Sequence, residues 1–286
     1  MQRQQSGVGV ALVSGCSSGI GKLTARALAG AGWIVYAGLR AATGHQLSEV
    51  SSSEHLRPLP LDLTDPAQIL AAVKRVQSET GRLDALVNNA GIDSISALED
   101  QREDDLRAVM EVNFFGALAL TRAALPMMRK QDSSVIVMVS SLSGLIGLPG
   151  SSAYCASKFA LEGATESLRN EVGRFGIRVA LIEPGGYATA MGTKRRLPVD
   201  YPVASPYRPM VEQLVQAPPA SADPSAVAEL VLFVIEQRAP RLRYAAGLQA
   251  EQVIAHLATL DDAARQHFAL AVTNLEWWDA GGTRSE

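Results

Sequence analysis

The chain has 286 residues, 47% of them hydrophobic, and a net charge of -3. That length and apolar content suit one α/β domain with additions, and the slight acidity, with no basic face, excludes a nucleic-acid footprint. Cys16 and Cys155 fit neither a disulfide framework nor a metal site, no apolar run approaches the ~18 residues of a membrane span, and the polar start MQRQQSG leads into too short an apolar run for a secretion signal, so a reducing, cytoplasmic setting is expected.

Residues 8–13 (VGVALV) are a short apolar run bounded by Gly and Ser, the pattern of a buried strand. SGCSSGIG follows at 14–21, and the Ala- and Leu-rich residues 22–31 read as a helix. Strand, glycine turn and helix together can hold a pyrophosphate. Glycines allow the tight turn and close approach, and the helix N-terminus offers unpaired N–H groups and a positive dipole end. Gly15, Gly19 and Gly21 are spaced GxxxGxG; taken alone, such a loop reads equally as an ordinary turn. The second strand, 33–38, ends at Leu39-Arg40. Folds that take NAD usually place an acid there for the ribose 2′-hydroxyl. Leu39 offers none, and Arg40 can pair with a 2′-phosphate, which favours NADP; a solvated arginine is the alternative.

Residues 59–61 sit in a third strand, and Asp62 just beyond it can accept from an adenine amino group. Asp65, before Pro66, fits a helix N-cap better, and 66–79 is the helix. A fourth strand, 83–87, runs into Asn88-Asn89-Ala90-Gly91. Residues 103–130 have helical periodicity but contain Asn113, a poor helix former whose amide competes for the backbone. A fifth strand, 135–139, leads into SSLSGLIGLPGSSAYCASK at 140–158. Tyr154 and Lys158, four residues apart, share one helical face. A free phenol titrates near ~10, and a fixed positive charge beside it favours the phenolate and lowers that value. Ser141, at the end of the strand, can hold a carbonyl oxygen together with Tyr154. A bare YxxxK is usually a surface pair; Ser141 and the glycine loop turn the reading toward a proton-transfer site.

Helix 154–175 and a sixth strand, 177–182, complete the alternation, so the fold class is α/β: a single doubly wound parallel sheet, Rossmann-like, with helices on both faces. Pro184-Gly185 opens residues 186–222, which carry six prolines and the basic run Lys194-Arg195-Arg196. A long loop of this kind, with one short helix near 210–215, reads as a substrate lid. A helix at 223–237, a last strand at 242–245 and a C-terminal helical extension at 247–286 follow, with Trp277 and Trp278 as packing residues. No repeat or linker divides the chain, so 1–286 is one dinucleotide-binding catalytic domain. The four histidines fall outside every motif.

SGCSSGIG, NNAG at 88–91, Asn113, Ser141, YCASK at 154–158 and Pro184-Gly185 with Thr189 together resemble the short-chain dehydrogenase/reductase family, in its order and spacing over about residues 8–190. GLIGLPG before YCASKFALEG, and the Leu39-Arg40 pair, resemble the branch of 17β-hydroxysteroid dehydrogenase type 1 and the retinol dehydrogenases. The resemblance implies a catalytic tetrad. Tyr154 is the general acid/base, Lys158 lowers its pKa and binds the nicotinamide ribose, Ser141 bonds the substrate oxygen, and Asn113 holds a water behind Lys158. It implies that Gly15, Ser17, Ser18, Gly19, Ile20 and Gly21 surround the phosphates. Asp62 and Leu63 meet the adenine, Asn89, Ala90 and Gly91 line the adenosine side, and Pro184, Gly185 and Thr189 hold the carboxamide. Two positions depart from the family pattern: Ser14 replaces Thr, and Tyr187 stands where an aliphatic residue is usual.

The expected activity is reduction of a carbonyl, or oxidation of the alcohol, with NADP(H) and no metal. Leu142, Leu145, Ile146 and Leu148 in the loop after Ser141, with Tyr187 and Met191 opposite, suggest a bulky apolar substrate of steroid, retinoid or polyketide type. The alternatives are an acidic, carrier- or CoA-bound substrate clamped by the basic run, or a dinucleotide sensor without turnover. A homodimer or homotetramer, paired through the Asn113 and Tyr154 helices, is implied.

Overall fold

The computed structural model describes residues 8–40, 54–131, 133–189, 191, 196–237 and 241–281. Seven strands form one sheet, parallel throughout: β1 (Val10–Val13), β2 (Ile34–Leu39), β3 (Leu56–Pro60), β4 (Ala85–Asn88), β5 (Ser134–Val139), β6 (Ile177–Pro184) and β7 (Arg243–Ala246). Their order is β3-β2-β1-β4-β5-β6-β7. The winding reverses between β1 and β4, so a crevice opens past the carboxyl ends of those two strands, where α/β sheets bind ligands.

The strands are apolar on both faces because helices cover both. On one side α1 (Gly19–Gly30) and α7 (Ser225–Glu236) bury Ala11, Val13, Val35, Val137 and Ile182. On the other, α2 (Pro66–Thr80), α4 (Ala117–Met128) and α5 (Ser152–Val172) bury Leu12, Tyr36, Leu86, Ile136 and Leu181. Asp65 caps α2, its Oδ1 accepting from Ala67 N (2.9 Å) and Gln68 N (3.3 Å) ahead of Pro66. The third strand starts at Leu56, which pairs with Val35. Helix α7 starts at Ser225, and Asp223 lies outside it, its carboxylate accepting from Ser225 N and Oγ.

The long helical stretch begins as α3 (Glu103–Met110), passes through a π-helical turn (Glu111–Gly116) and continues as α4. Gly116 is required there, since a Cβ on it would lie 2.6 Å from Leu63 Cβ. Among the described residues, Glu103–Met128 is one helical stretch with the length and hydropathy to cross a membrane, contrary to the expectation that none existed. Its apolar residues Leu120, Ala124, Met127 and Met128 face the sheet-side core, which accounts for that composition.

The C-terminal third adds α6 (Arg208–Gln216), α8 (Leu248–Leu257), α9 (Asp262–Thr273) and α10 (Glu276–Asp279). Trp277 and Trp278 pack with Met210, Val211 and Tyr207, and Trp277 Nε1 donates to Gln213 Oε1 at 3.0 Å, as packing residues should.

Candidate active site

The crevice floor is the glycine loop between β1 and α1. Ser14 stitches it to the end of β4: its Oγ accepts from Asn89 N (3.0 Å) and Ala90 N (3.1 Å) and donates to Val87 O (3.4 Å). A serine hydroxyl does what a threonine hydroxyl would do at this position. Asn89 Nδ2 donates back to Ser14 O at 3.0 Å, so the Asn89 side chain buttresses the loop instead of reaching toward the adenosine side. Gly15 sits at φ +74°, and a Cβ on it would lie 2.7 Å from Ala90 Cα. A Cβ on Gly21 would collide with Asn89 Nδ2 and Gly15 O. Cys16 is buried, its Sγ donates to Val13 O, and burial pushes its thiol pKa up. It is a packing residue.

The N-terminus of α1 fits a pyrophosphate. Its N-cap Ser18 makes no side-chain capping bond, and the first turn holds no acid. The N–H groups and positive dipole end that such a turn leaves uncompensated are therefore open to an anion. Ser17 and Ser18 are exposed beside it, and Ile20 packs against the core below. Thr189 closes the loop from above: its Cβ lies 3.5 Å from where a Cβ on Gly19 would be.

At the adenine end, Leu39 is 0% exposed and packs in the α1–α7 core. Arg40 is exposed just past it. Asp62 Oδ1 accepts from Thr64 N and Oγ1 at 2.9 and 2.8 Å. Leu63 is buried against Gly116, so its side chain packs and only its backbone is available to a ligand.

Asn113 stands in the π turn, a distortion that favours functional positions. Its Oδ1 accepts from Ile92 N (2.8 Å), and its Nδ2 donates to Ile92 O (2.9 Å) and Ser157 Oγ (3.0 Å). Ser157 in turn donates to Tyr154 O at 2.7 Å. The amide thereby ties the β4 loop to the Tyr154–Lys158 turn of α5. The sequence reading missed Ser157, although it sits inside YCASK. Gly91 lies where three groups meet: a Cβ on it would be 3.3 Å from Asn113 Oδ1 and 3.8 Å from both Lys158 Nζ and Met191 Cε.

Ser141 follows β5 and caps the short 3₁₀ turn Leu142–Gly144, its Oγ accepting from Ser143 N at 3.1 Å. Tyr154 is half-buried in the first turn of α5. The Lys158 ammonium lies 5.7 Å from the centre of the Tyr154 ring and donates to Val139 O at 2.8 Å. Burial lowers the Lys158 pKa to about 8, and Glu162 one turn further on pulls it back up. The ammonium therefore stays mostly charged at neutral pH, next to the phenol.

On the substrate side the structure redistributes the expected residues. Leu142 lies at the site, its Cδ1 3.5 Å from the position of a Cβ on Gly185, which follows the buried Pro184. Leu145, Ile146 and Leu148 instead pack with Leu257, Ala269 and Phe268 of α8 and α9. They hold the loop to the C-terminal helices. Tyr187 also turns away: its hydroxyl donates to Ala246 O at 2.6 Å, and its ring packs on the α1–α7 core. The expected pocket wall is thus a strut to the end of β7. Lys194 and Arg195 of the basic run lie outside the described residues, and Arg196 is exposed.

Near the Tyr154–Lys158 turn lies a charged cluster that no motif in the sequence announces. Arg243 on β7 reaches Glu162 Oε2 (3.1 Å) and Glu166 Oε1 (2.6 Å) of α5 and Glu183 Oε1 (3.2 Å) of β6. Its members are far apart in sequence, so no local spacing announces them.

A short chain dehydrogenase family model matches residues 9–199. The chain is 36% identical over 247 residues to Oxidoreductase BOA17 of Botryotinia fuckeliana, covering 83% of this chain and 88% of that protein. It is 36% identical over 253 residues to human 17-beta-hydroxysteroid dehydrogenase type 1, covering 82% and 76%. The crystal structure of a short-chain dehydrogenase from Streptomyces avermitilis matches with a TM-score of 0.75 at 32% identity, covering 97% of this chain and 98% of that one. The chain belongs to the short-chain dehydrogenase family, oxidoreductases that act with a nicotinamide dinucleotide on alcohols and carbonyl compounds.

Proposed function

We propose that this protein reduces the ketone of a bulky, mostly apolar substrate, of steroid, retinoid or polyketide type, with NADPH in the cytoplasm. The observation that carries the reading is the first turn of α5, where Tyr154 stands 5.7 Å (ring centre) from a buried ammonium. When bound, the nicotinamide supplies the hydride. The chain supplies the proton and the charge. Tyr154 donates to the substrate oxygen as negative charge grows there, a step worth roughly 10²–10⁴-fold. Ser141 accepts from Ser143 N, so its own hydroxyl proton is free to bond the same oxygen. Lys158 favours the phenolate that the transfer leaves behind. Asn113 and Ser157 hold the Tyr154–Lys158 turn against the loop that carries Gly91.

Arg40 supports NADPH, since a guanidinium pairs with a phosphate and Leu39 brings no competing acid. Leu142 beside Gly185 and Met191 beside Gly91 support an apolar substrate, as does the steroid in the human relative's name. Residues 186–222 serve as the substrate lid and 247–286 form a C-terminal helical extension, within one catalytic domain. Phe115 and Phe159, exposed on the π turn and on α5, support pairing of two copies through these helices; light scattering that gives about 30 kDa across the micromolar range would refute it.

The test is a panel of neutral and anionic ketones of matched size, each with NADPH and NADH, at low and high salt. Neutral ketones should be reduced with NADPH at a KM nearly independent of ionic strength. A preference for anions that fades as salt screens exposed charge would overturn the apolar reading. Tight NADPH binding without reduction of any ketone would make the protein a sensor.

A further inference from the structure

The catalytic helix α5 carries more charge than the reaction uses. Glu162 lies one turn beyond Lys158, on the same side of the helix, and is 5% exposed. Glu183 on β6 is 1% exposed, one residue before Pro184. Arg243 on β7 bridges the two, at 3.1 and 3.2 Å, and also pairs with the half-exposed Glu166 at 2.6 Å. From β5, Ser140 joins them: a Cβ on Gly144 would lie 2.8 Å from Ser140 Oγ and 3.1 Å from Glu162 Cγ. The cluster therefore joins Glu162 and Glu166 from α5, Glu183 from β6, Arg243 from β7 and the Ser140 hydroxyl, with Lys158 one helical turn from Glu162 and within reach of its charge. Among the described residues, Glu162 Oε1, Glu183 Oε1 and Ser140 Oγ have no hydrogen-bond partner, so Arg243 holds Glu183 by charge alone. Arg243 thus does not engage the whole Glu162 carboxylate, and part of its field falls on Lys158.

A buried ammonium loses its proton unless a negative charge compensates it. The nearest Lys158 bond is to a neutral carbonyl, Val139 O. We propose that Glu162 is a positioning residue for the catalytic pair: clamped by Arg243 to β6 and β7, it holds the Tyr154–Lys158 turn in place and supplies the charge that keeps Lys158 protonated. The inference rests on the reading of Lys158 as the partner of Tyr154. The cluster also has a limit built in. Two cations, Lys158 and Arg243, face three carboxylates, so one carboxyl takes up a proton on mild acidification. Glu183 is that carboxyl: burial and Glu162 raise its pKa to about 7, against the pull of Arg243. Lys158 and the glutamate pair then titrate as a coupled set.

The experiment follows the ¹³Cε signals of isotopically labelled lysines over a pH titration of the full chain, and needs no substrate. The Lys158 signal is identified by its loss in Lys158→Arg. In Glu162→Gln, its midpoint should fall by about one pH unit or more, the size expected on removing a close opposite charge. The isosteric glutamine keeps the packing, so a purely structural role would leave the midpoint where it was, and an unshifted midpoint overturns the proposal. Should that variant fail to fold, the wild type decides: its Lys158 signal should show a second, smaller inflection where the glutamate pair takes up its proton, and a single-step curve overturns the proposal. An inactive protein on the ketone panel would sink the reductase reading and leave this result untouched; an unshifted Lys158 would do the reverse.

Discussion

The nucleotide side and the substrate side of the crevice are held together by different forces. At the glycine loop, Ser14, Asn89, Gly15 and Gly21 interlock through short directional bonds and through glycines that leave no room for a Cβ. Across the crevice, the loop after Ser141 rests on apolar contacts: Leu145, Ile146 and Leu148 against α8 and α9. The first arrangement tolerates almost no change of residue, because bond geometry and backbone space fix it. The second asks only for apolar volume, and many side chains supply it. A family can therefore keep one dinucleotide grip while its substrate side varies.

Substitutions sharpen this contrast. The largest effect should come from Gly21→Ala, whose Cβ overlaps Gly15 O and Asn89 Nδ2. Displacing the loop should cost about 2–3 kcal/mol of cofactor binding, roughly 30- to 150-fold in Kd, read by the change in protein fluorescence as NADPH is added. Wild-type affinity would mean that the loop is not interlocked as described.

Nearly as large is the effect of Glu183, buried at the seam of the two sides. Its folded pKa, about 7, stands above the ordinary 4.5, so the folded chain holds more protons than the unfolded one between those values. That contribution to stability is complete below about pH 4.5 and is lost as pH rises through about 7. Glu183→Gln should therefore match the wild type near pH 4.5 and gain on it by on the order of 2–3 kcal/mol at about pH 8. Denaturant midpoints at the two pH values check this, and a gap that shrinks with rising pH would contradict it.

On the substrate side, Leu148→Ala should lower stability by about 1–2 kcal/mol, since a half-buried leucine loses part of its packing. Its kcat/KM should change less than threefold, because the side chain packs on the C-terminal helices. A large loss of kcat/KM at unchanged melting temperature would return Leu148 to the substrate pocket. The smallest effect should be that of Arg40→Ser. Losing one charge-assisted pair should move the NADP-to-NAD preference about tenfold toward NAD, some 1.4 kcal/mol, measured as the ratio of kcat/KM for the two cofactors. No movement would place the discrimination elsewhere.

What could be read from the residues alone follows the same division. The alternation of strands and helices, the glycine loop and the Tyr154–Lys158 turn were legible because each depends on spacing within one or two elements. Asp65 as a cap was legible for the same reason. The bond from Tyr187 was not legible because its partner, Ala246, lies 59 residues further on. The packing of Leu148 was not legible because α8 and α9 had no position before the fold existed. Leu39 showed only that it was no acid, and its burial required the register of β2. Arg243, Glu162 and Glu183 met nowhere in the sequence, since three separate elements bring them together.

The central claim is that Tyr154 delivers the proton while the phosphates are held elsewhere. Tyr154→Phe separates the two in one protein, if turnover of the best ketone of the panel and the NADPH Kd are measured together. Turnover should fall to below about one percent of the wild type, with a Kd within about threefold of it. Retention of more than that activity, or loss of NADPH binding in step with turnover, would contradict the account.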